Sequence, residues 1–175
     1  MYAATTQVQM QPEEDLRLAA QVDVPVLVTA DSRDHRSLCA RLIHDIGIAA
    51  GGPFVTFSTG GLSIVSSTPR EREETVLRRQ FERARGGTLF IDDIATLRAA
   101  VQAQLLSLLE ERVRHESSIR SSGGPVRVVA GASRHLDMER ATGAFCTPLF
   151  YRLNLIHINL IPRRSDSPAE WSALH

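Results

Sequence analysis

The sequence predicts an α/β fold of three layers, a mainly parallel, five-stranded sheet covered by helices on both faces. Two patterns carry this reading. Short apolar runs rich in β-formers alternate along the chain with stretches whose apolar residues recur at helical spacing. Hydrophobic residues make up 43% of the 175, enough for one domain with a substantial core.

Each element has its own signal. Residues 1–12 are polar and are expected to be a disordered end. "EEDLRLAAQV", Glu13 to Val22, reads as a short helix, and Val24 to Thr29 as a strand. Ser37 to Ile46 reads as a helix with Leu38, Cys39, Leu42, Ile43 and Ile46 on one face. After the turn "GIAAGGP", Pro53 to Ser58 is the second strand. Leu62 to Val65 has weak strand character inside a loop-like segment. Arg70 to Arg85 is a charged helix with Val76, Leu77, Gln80 and Phe81 on one side, stopped by Gly86-Gly87. "TLFIDDI" is the third strand. The helix after it, "TLRAAVQAQLLSLLEERVRHE", carries Leu97, Val101, Leu105, Leu108, Leu109 and Val113 as its apolar stripe. "SSIRSSGG" is a turn and "PVRVVAGA" the fourth strand. "LDMERATGAF" and "PLFYRLN" are helical, and "LIHINLI" is the fifth strand. The expected division is a single domain over residues 13–162, with a polar tail over 163–175.

Composition narrows the function classes. Twenty basic and twenty acidic residues cancel, which argues against a strongly basic nucleic-acid surface. Two cysteines, Cys39 and Cys146, make neither a disulfide framework nor a metal site, and read as small buried apolar residues. The start has no basic region leading into an apolar core, so no signal peptide is read. No run approaches the roughly 18 apolar residues of a membrane span, and a cytoplasmic location is expected.

The most specific stretch is "GGTLFIDDI", in which a buried strand ends in Asp92 and Asp93. Open parallel sheets bind ligands at that carboxyl edge. In phosphoryl-transfer proteins the first such carboxylate holds Mg²⁺ and a second acid polarises the attacking water. The alternative is a strand-ending turn with two solvated aspartates. Upstream, "TADSRDHRS" joins the first strand to its helix where a phosphate loop would read GxxxxGK[ST], yet it contains no glycine and no lysine.

"GGTLFIDDI…VQAQLLSLLE…VRVVAGASR.L…F…LFYRLNLI" resembles the AAA+ domain of bacterial sigma-54-dependent transcriptional activators, whose pattern runs GGTLFLDEI, LQAKLLRVLQ, VRVIAATNRDL and FREDLYYRLNV. The register holds without a gap from Gly86 to Pro162. "VPVLVTADS…LCARLIH" and "PFVTFST" extend it upstream. The resemblance implies an AAA+/P-loop NTPase-like core that, in the family, forms a ATPase ring and remodels the sigma-54 holoenzyme. It sets Ala30 to Ser37 against the phosphate loop GESGTGKE, with Ala30, Arg33 and His35 in place of three glycines and Arg36 in place of the lysine. Non-glycine residues forced into a nest with φ > 0 cost about 1–2 kcal/mol each. Asp34 adds a negative charge there.

Other charge-handling positions depart in the same direction. Asp93 stands for the catalytic glutamate, Ser58 for the asparagine after the second strand, and Ser133 for the sensor asparagine. Cys146 stands for the first arginine finger and Pro148 for the aspartate near it. Asp92, the Mg²⁺ position, and Arg152, the second finger, are kept. The segment between "FSTGGLSIV" and "RRQFERARGG" is too short for the GAFTGA loop that contacts sigma-54. After Pro162 neither the lid domain nor a DNA-binding helix-turn-helix is expected.

The implied site is therefore vestigial: Asp92, Asp93 and Arg152 for catalysis, Ser32, Arg36 and Ser37 for nucleotide, Asp92 for Mg²⁺. The expected function is that of a catalytically degenerate module in transcription control, with a protein partner, itself or another AAA+ subunit, met through the "FYRLN" helix. Direct DNA binding is not expected. The alternatives are a weak ATP-binding switch, an activator fragment with residual ATPase, and a decaying gene product.

Overall fold

The computed structural model describes residues 12–58, 69–116, 124–133 and 135–161. The expected disordered end, the weak strand at Leu62 to Val65, most of the turn after Glu116 and the polar tail lie outside the described residues. The elements run α1 (Pro12–Gln21), β1 (Val26–Thr29), α2 (Arg33–Asp45), β2 (Phe54–Phe57), α3 (Pro69–Arg83), β3 (Thr88–Ile91), α4 (Ala99–Glu116), β4 (Arg127–Ala132), α5 (Leu136–Ala141), α6 (Thr147–Leu153) and β5 (Ile156–Asn159). All four strand pairings are parallel, in the order β2-β3-β4-β1-β5. The predicted α/β class and its three layers are what the chain forms.

The layers follow from the two faces of each strand. Leu27, Leu89, Ile91, Val128 and Ala130 point to one side and pack with buried residues of α3, α4 and α6. Val26, Val28, Phe90, Val129 and Ile158 point to the other and pack with α1 and α2. The predicted stripe is buried at Val101, Leu105, Leu108 and Leu109 of α4 and at Leu97 just before it. Each such leucine contributes about 1.5–3 kcal/mol by leaving water.

The α2 helix differs from its reading in two ways. It begins at Arg33, four residues before the predicted start at Ser37, because the Ser32 side chain accepts from the Asp34 N–H and caps it. Its apolar face is also split. Cys39 and Ile43 are buried against the sheet, whereas Leu38, Leu42 and Ile46 are exposed by 58, 40 and 54%. The inner row is completed by Arg36, Ala40 and His44. A row at i, i+4, i+8 one position away along a helix turns about 100° from it, out of the sheet contact. Burial pushes the Cys39 thiol up to about 11, so it stays protonated at neutral pH.

His44 is buried, its Nδ1 2.9 Å from the Thr88 hydroxyl and its ring edge-on to Phe54 at 5.3 Å. Burial pulls its pKa below the ordinary value, with Asp45 opposing and Arg41 and Arg127 adding to the shift. The unfolded chain binds this proton near pH 6.5, while the folded chain accepts it only at lower pH. Stability is therefore expected to fall as pH drops below about 6.5. Urea midpoints measured from about pH 7.5 to 5.5 should fall less in His44→Gln than in the wild type. Equal slopes would show that His44 titrates alike in both states.

Candidate functional site

The sheet order brings the carboxyl ends of β3, β4 and β1 side by side, and the chain reverses its winding at β1. Asp92 leaves the end of β3, Ala30 the end of β1, and Ser133 the end of β4. Asp92 is only 3% exposed in its side chain. The Arg36 Nε donates to its Oδ1 at 2.8 Å, and Arg33 Nε lies 3.0 Å from its Oδ2. The Arg36 Nη1 also donates to the Ala30 carbonyl at 2.8 Å, so one guanidinium ties the strand β1 exit to the strand β3 exit. Arg36 is buried with Asp92, whereas the Arg33 side chain is 65% exposed and contributes far less.

Gly131, on β4, makes this cluster fit. A Cβ there would lie 3.1 Å from Asp92 Oδ1 and 3.2 Å from Arg36 Cδ. Those distances are tighter than ordinary contact, so the absent side chain leaves the volume that the ion pair fills.

The expected strain in the Ala30 to Ser37 loop does not arise. Among the described residues, Asp93 is the one non-glycine with positive φ, so no residue of this turn is held in the left-handed region. Without glycines, the chain takes the cheaper course and winds into α2, spending the Ser32 hydroxyl on the cap. The nest of inward N–H groups that cradles a phosphate needs that left-handed backbone and is not formed. Arg36 is therefore not a free phosphate ligand but one half of a buried pair. Ser37 lies exposed on the outer side of α2. Mg²⁺ with a nucleotide does not fit this arrangement: both Asp92 oxygens face guanidinium groups, and a cation would have to displace them. Among the described residues, no group of three His, Cys, Asp or Glu side chains is placed to hold a metal.

The remaining positions are placed as follows. Asp93 sits at φ 54°, ψ 57°, where its carbonyl accepts from the Thr96 N–H at 3.0 Å and hydroxyl at 2.8 Å. Aspartate tolerates that conformation better than most non-glycine residues, which gives a backbone reason for the shorter acid. The backbone N–H of Cys146, at the α6 cap, donates to Gln102 Oε1 at 2.7 Å. The Gln102 amide in turn donates to the carbonyls of Leu97 and Ala144. Pro148 lies in the first turn of α6. Ser58 and Ser133 follow β2 and β4 and are half-buried. Arg152 is half-buried on α6 and forms no ion pair among the described residues, while its neighbour Tyr151 is 62% exposed. The carboxylate of Asp137 is taken by Arg140, at 3.6 Å.

Sequence reasoning placed Asp92 and Arg36 in one site but missed three participants. Arg33 had a signal, since it lies three residues before Arg36 on one helix face. Gly131 and Gln102 had none, because their roles depend on what the sheet and α4 bring near them.

Residues 73–159 match the family model described as the sigma-54 interaction domain. The transcriptional regulatory protein GlrR of Escherichia coli (strain K12) is 33% identical over 168 residues, covering 89% of this chain and 38% of that protein. The chain thus spans about two fifths of that relative's length. Among solved structures, NtrX from Brucella abortus in complex with ATP shares the fold with a TM-score of 0.67 and 24% identity, over 91% of this chain and 38% of that one. The P-loop NTPase domain of a sigma-54 transport activator from E. coli aligns with a TM-score of 0.59 and 22% identity, over 81% of this chain and 99% of that one.

Proposed function

We propose that this chain, whose residues 73–159 match the sigma-54 interaction domain model and which is similar to the regulator GlrR, is a catalytically degenerate AAA+ domain serving transcription control as a regulatory, protein-binding module. The observation that carries this reading is the buried Arg36–Asp92 pair. It joins the position of the phosphate-binding lysine to that of the Mg²⁺-binding aspartate and leaves neither available. Opening it forfeits charge-assisted hydrogen bonds of about 1.5–3 kcal/mol each. Losing two such bonds weakens binding by a factor of about 10² to 10⁴, since 1.4 kcal/mol is tenfold.

The surface proposed for the partner carries Phe150, Tyr151 and Arg152. Tyr151 is exposed and stands edge-on to Phe150 at 5.5 Å, and Arg140 covers the Phe150 ring at 4.7 Å. The proposed partner is a second AAA+ subunit, this chain or a full activator, met in the cytoplasm. Among the described residues no helix is long and apolar enough to cross a membrane.

Calorimetry with Mg-ATP and a steady-state phosphate-release assay test the proposal. The expected results are a dissociation constant weaker than about 0.1 mM and no measurable turnover. Turnover near 1 s⁻¹, of roughly the usual enzyme order, would overturn it. A low-micromolar constant without turnover would favour the ATP-binding switch. Light scattering of mixtures with a full activator, using Arg152→Ala as control, tests the partner surface.

A further inference from the structure

Of the eight large apolar side chains exposed among the described residues, five lie on the layer made by α1, α2 and the turn after it: Leu18, Leu38, Leu42, Ile46 and Ile48. An apolar face of that extent marks a protein contact rather than a small-molecule site. Leu38, Leu42 and Ile46 recur at i, i+4, i+8 and form a ridge along α2. The ridge is also one wall of an apolar groove of about 600 Å³, with Leu16 of α1 among its lining. A ridge beside a groove is self-complementary in shape. A two-fold axis running along the groove seats each ridge in the other copy's groove, with each α2 between the two helices of its partner.

We propose that this face pairs with the same face of a second copy of the chain. The surface is distinct from the α6 surface proposed above, and the pairing does not rest on that reading.

The charges on the two helices fit the pairing. The Ile48 N–H donates to the Ala20 carbonyl at 3.2 Å, so α1 and α2 end level with one another. Arg17 precedes Ala20 by three residues, and Asp45 precedes Ile48 by three, so each stands about 4.5 Å back from that common end. Glu14 and Arg41 each stand about one further turn back. Rotation about an axis along the helices leaves these heights unchanged. It brings Arg17 of each copy level with Asp45 of the other, and Glu14 level with Arg41. Thus α1 presents an acid and then a base where the facing α2 presents a base and then an acid.

Within one copy these charges are poorly served. Glu14, Arg17 and Asp45 are exposed and form no ion pair among the described residues. Asp45 is the last residue of α2, where the helix dipole disfavours a carboxylate. Pairing gives it a cation. Arg41 already covers the Phe54 ring at 3.9 Å, so the Arg17–Asp45 contact is the one to test. Five partly exposed apolar side chains make a small contact, of the weak and concentration-dependent class.

Sedimentation velocity of the full chain over a dilution series tests the proposal. The wild type is expected to move from monomer towards dimer as concentration rises. Arg17→Asp and Asp45→Arg should each weaken association at least about tenfold, because a two-fold contact meets every reversed charge twice and facing like charges cost several kcal/mol. An equimolar mixture of the two variants should recover wild-type association, since every facing pair in the mixed dimer is again of opposite sign. Far-UV circular dichroism checks that both variants are folded. Where a reversal unfolds the chain, Arg17→Gln and Asp45→Asn replace it and should weaken association to a smaller degree. A wild type that stays monomeric at every concentration overturns the proposal. So does a dimer that neither reversal weakens, or a mixture that associates no better than its components. Association lost in Arg152→Ala and kept in both reversals would assign the contact to the α6 surface and would also overturn it.

Discussion

Asp92→Asn is expected to lower the unfolding free energy by about 3–5 kcal/mol, the usual loss when one member of a buried ion pair is removed. The cause is the partner left behind. Arg36 is 6% exposed in its side chain, and without the carboxylate its charge stays buried with the Ala30 carbonyl as its acceptor. Arg33 cannot substitute, being a cation itself. In urea the midpoint should fall with the slope unchanged. The double variant Arg36→Met, Asp92→Leu should recover most of the loss, because apolar side chains of similar size often replace a buried pair at little cost. The cycle isolates the coupling. A different outcome follows if Asp92 is kept for Mg²⁺: a metal-site carboxylate neutralised in the absence of metal costs little. A single-variant loss below about 1 kcal/mol, the range of exposed pairs, would therefore rule out the structural role.

The second large effect is expected at Arg127, which opens β4 and is 1% exposed. Its Nη1 donates to the Ala20 carbonyl at 3.0 Å, and its Nη2 donates to the Ala19 carbonyl. These are carbonyls of the last turn of α1, which lack partners within the helix and favour a cation. Burial pulls the guanidinium pKa down, with Asp23 opposing and Arg112 adding, yet an arginine stays charged at any working pH. Gly47 keeps the approach open, since a Cβ there would lie 2.8 Å from the Ala20 oxygen and 3.1 Å from Arg127 Nη1. Arg127→Ala takes the arginine donor from two buried carbonyls, leaving that of Ala20 only the Ile48 N–H at 3.2 Å, and opens a cavity where the side chain packed. Together these should cost about 3–5 kcal/mol, or roughly 6–20 °C in Tm for a chain of this size. Arg127→Lys should recover only part, because a point charge does not reach two carbonyls as a planar fork does. Amide exchange in α1 should accelerate before the rest of the domain. Unchanged exchange in α1 would show that the anchor lies elsewhere.

Much of the fold was legible because its signals are local. Continuous apolar runs marked the five strands, and the stripe from Leu97 to Leu109 marked α4 as a core helix. Those patterns report which side chains must leave water, and burial then decides element type. Position within the site was less legible. Asp92 was placed at a ligand-binding edge by its strand alone, and the departures of the loop before α2 were visible residue by residue. What the loop does instead was not visible: it shortens, Ser32 caps α2, and Arg36 turns inward.

By itself, the sequence determined the three layers, the match of residues 73–159 to the sigma-54 interaction domain model, and the lack of any glycine able to hold a phosphate nest in the Ala30 to Ser37 turn. Tertiary structure alone decided that Arg36 meets Asp92, 56 residues away, in the space left by Gly131. It also decided that half of the α2 apolar face opens onto a groove. The physical reason is the same in both cases. Periodicity along a chain reports whether a side chain is apolar and where it recurs on one element. Which surfaces meet depends on parallel crossovers between strands, and those join residues that no local pattern connects.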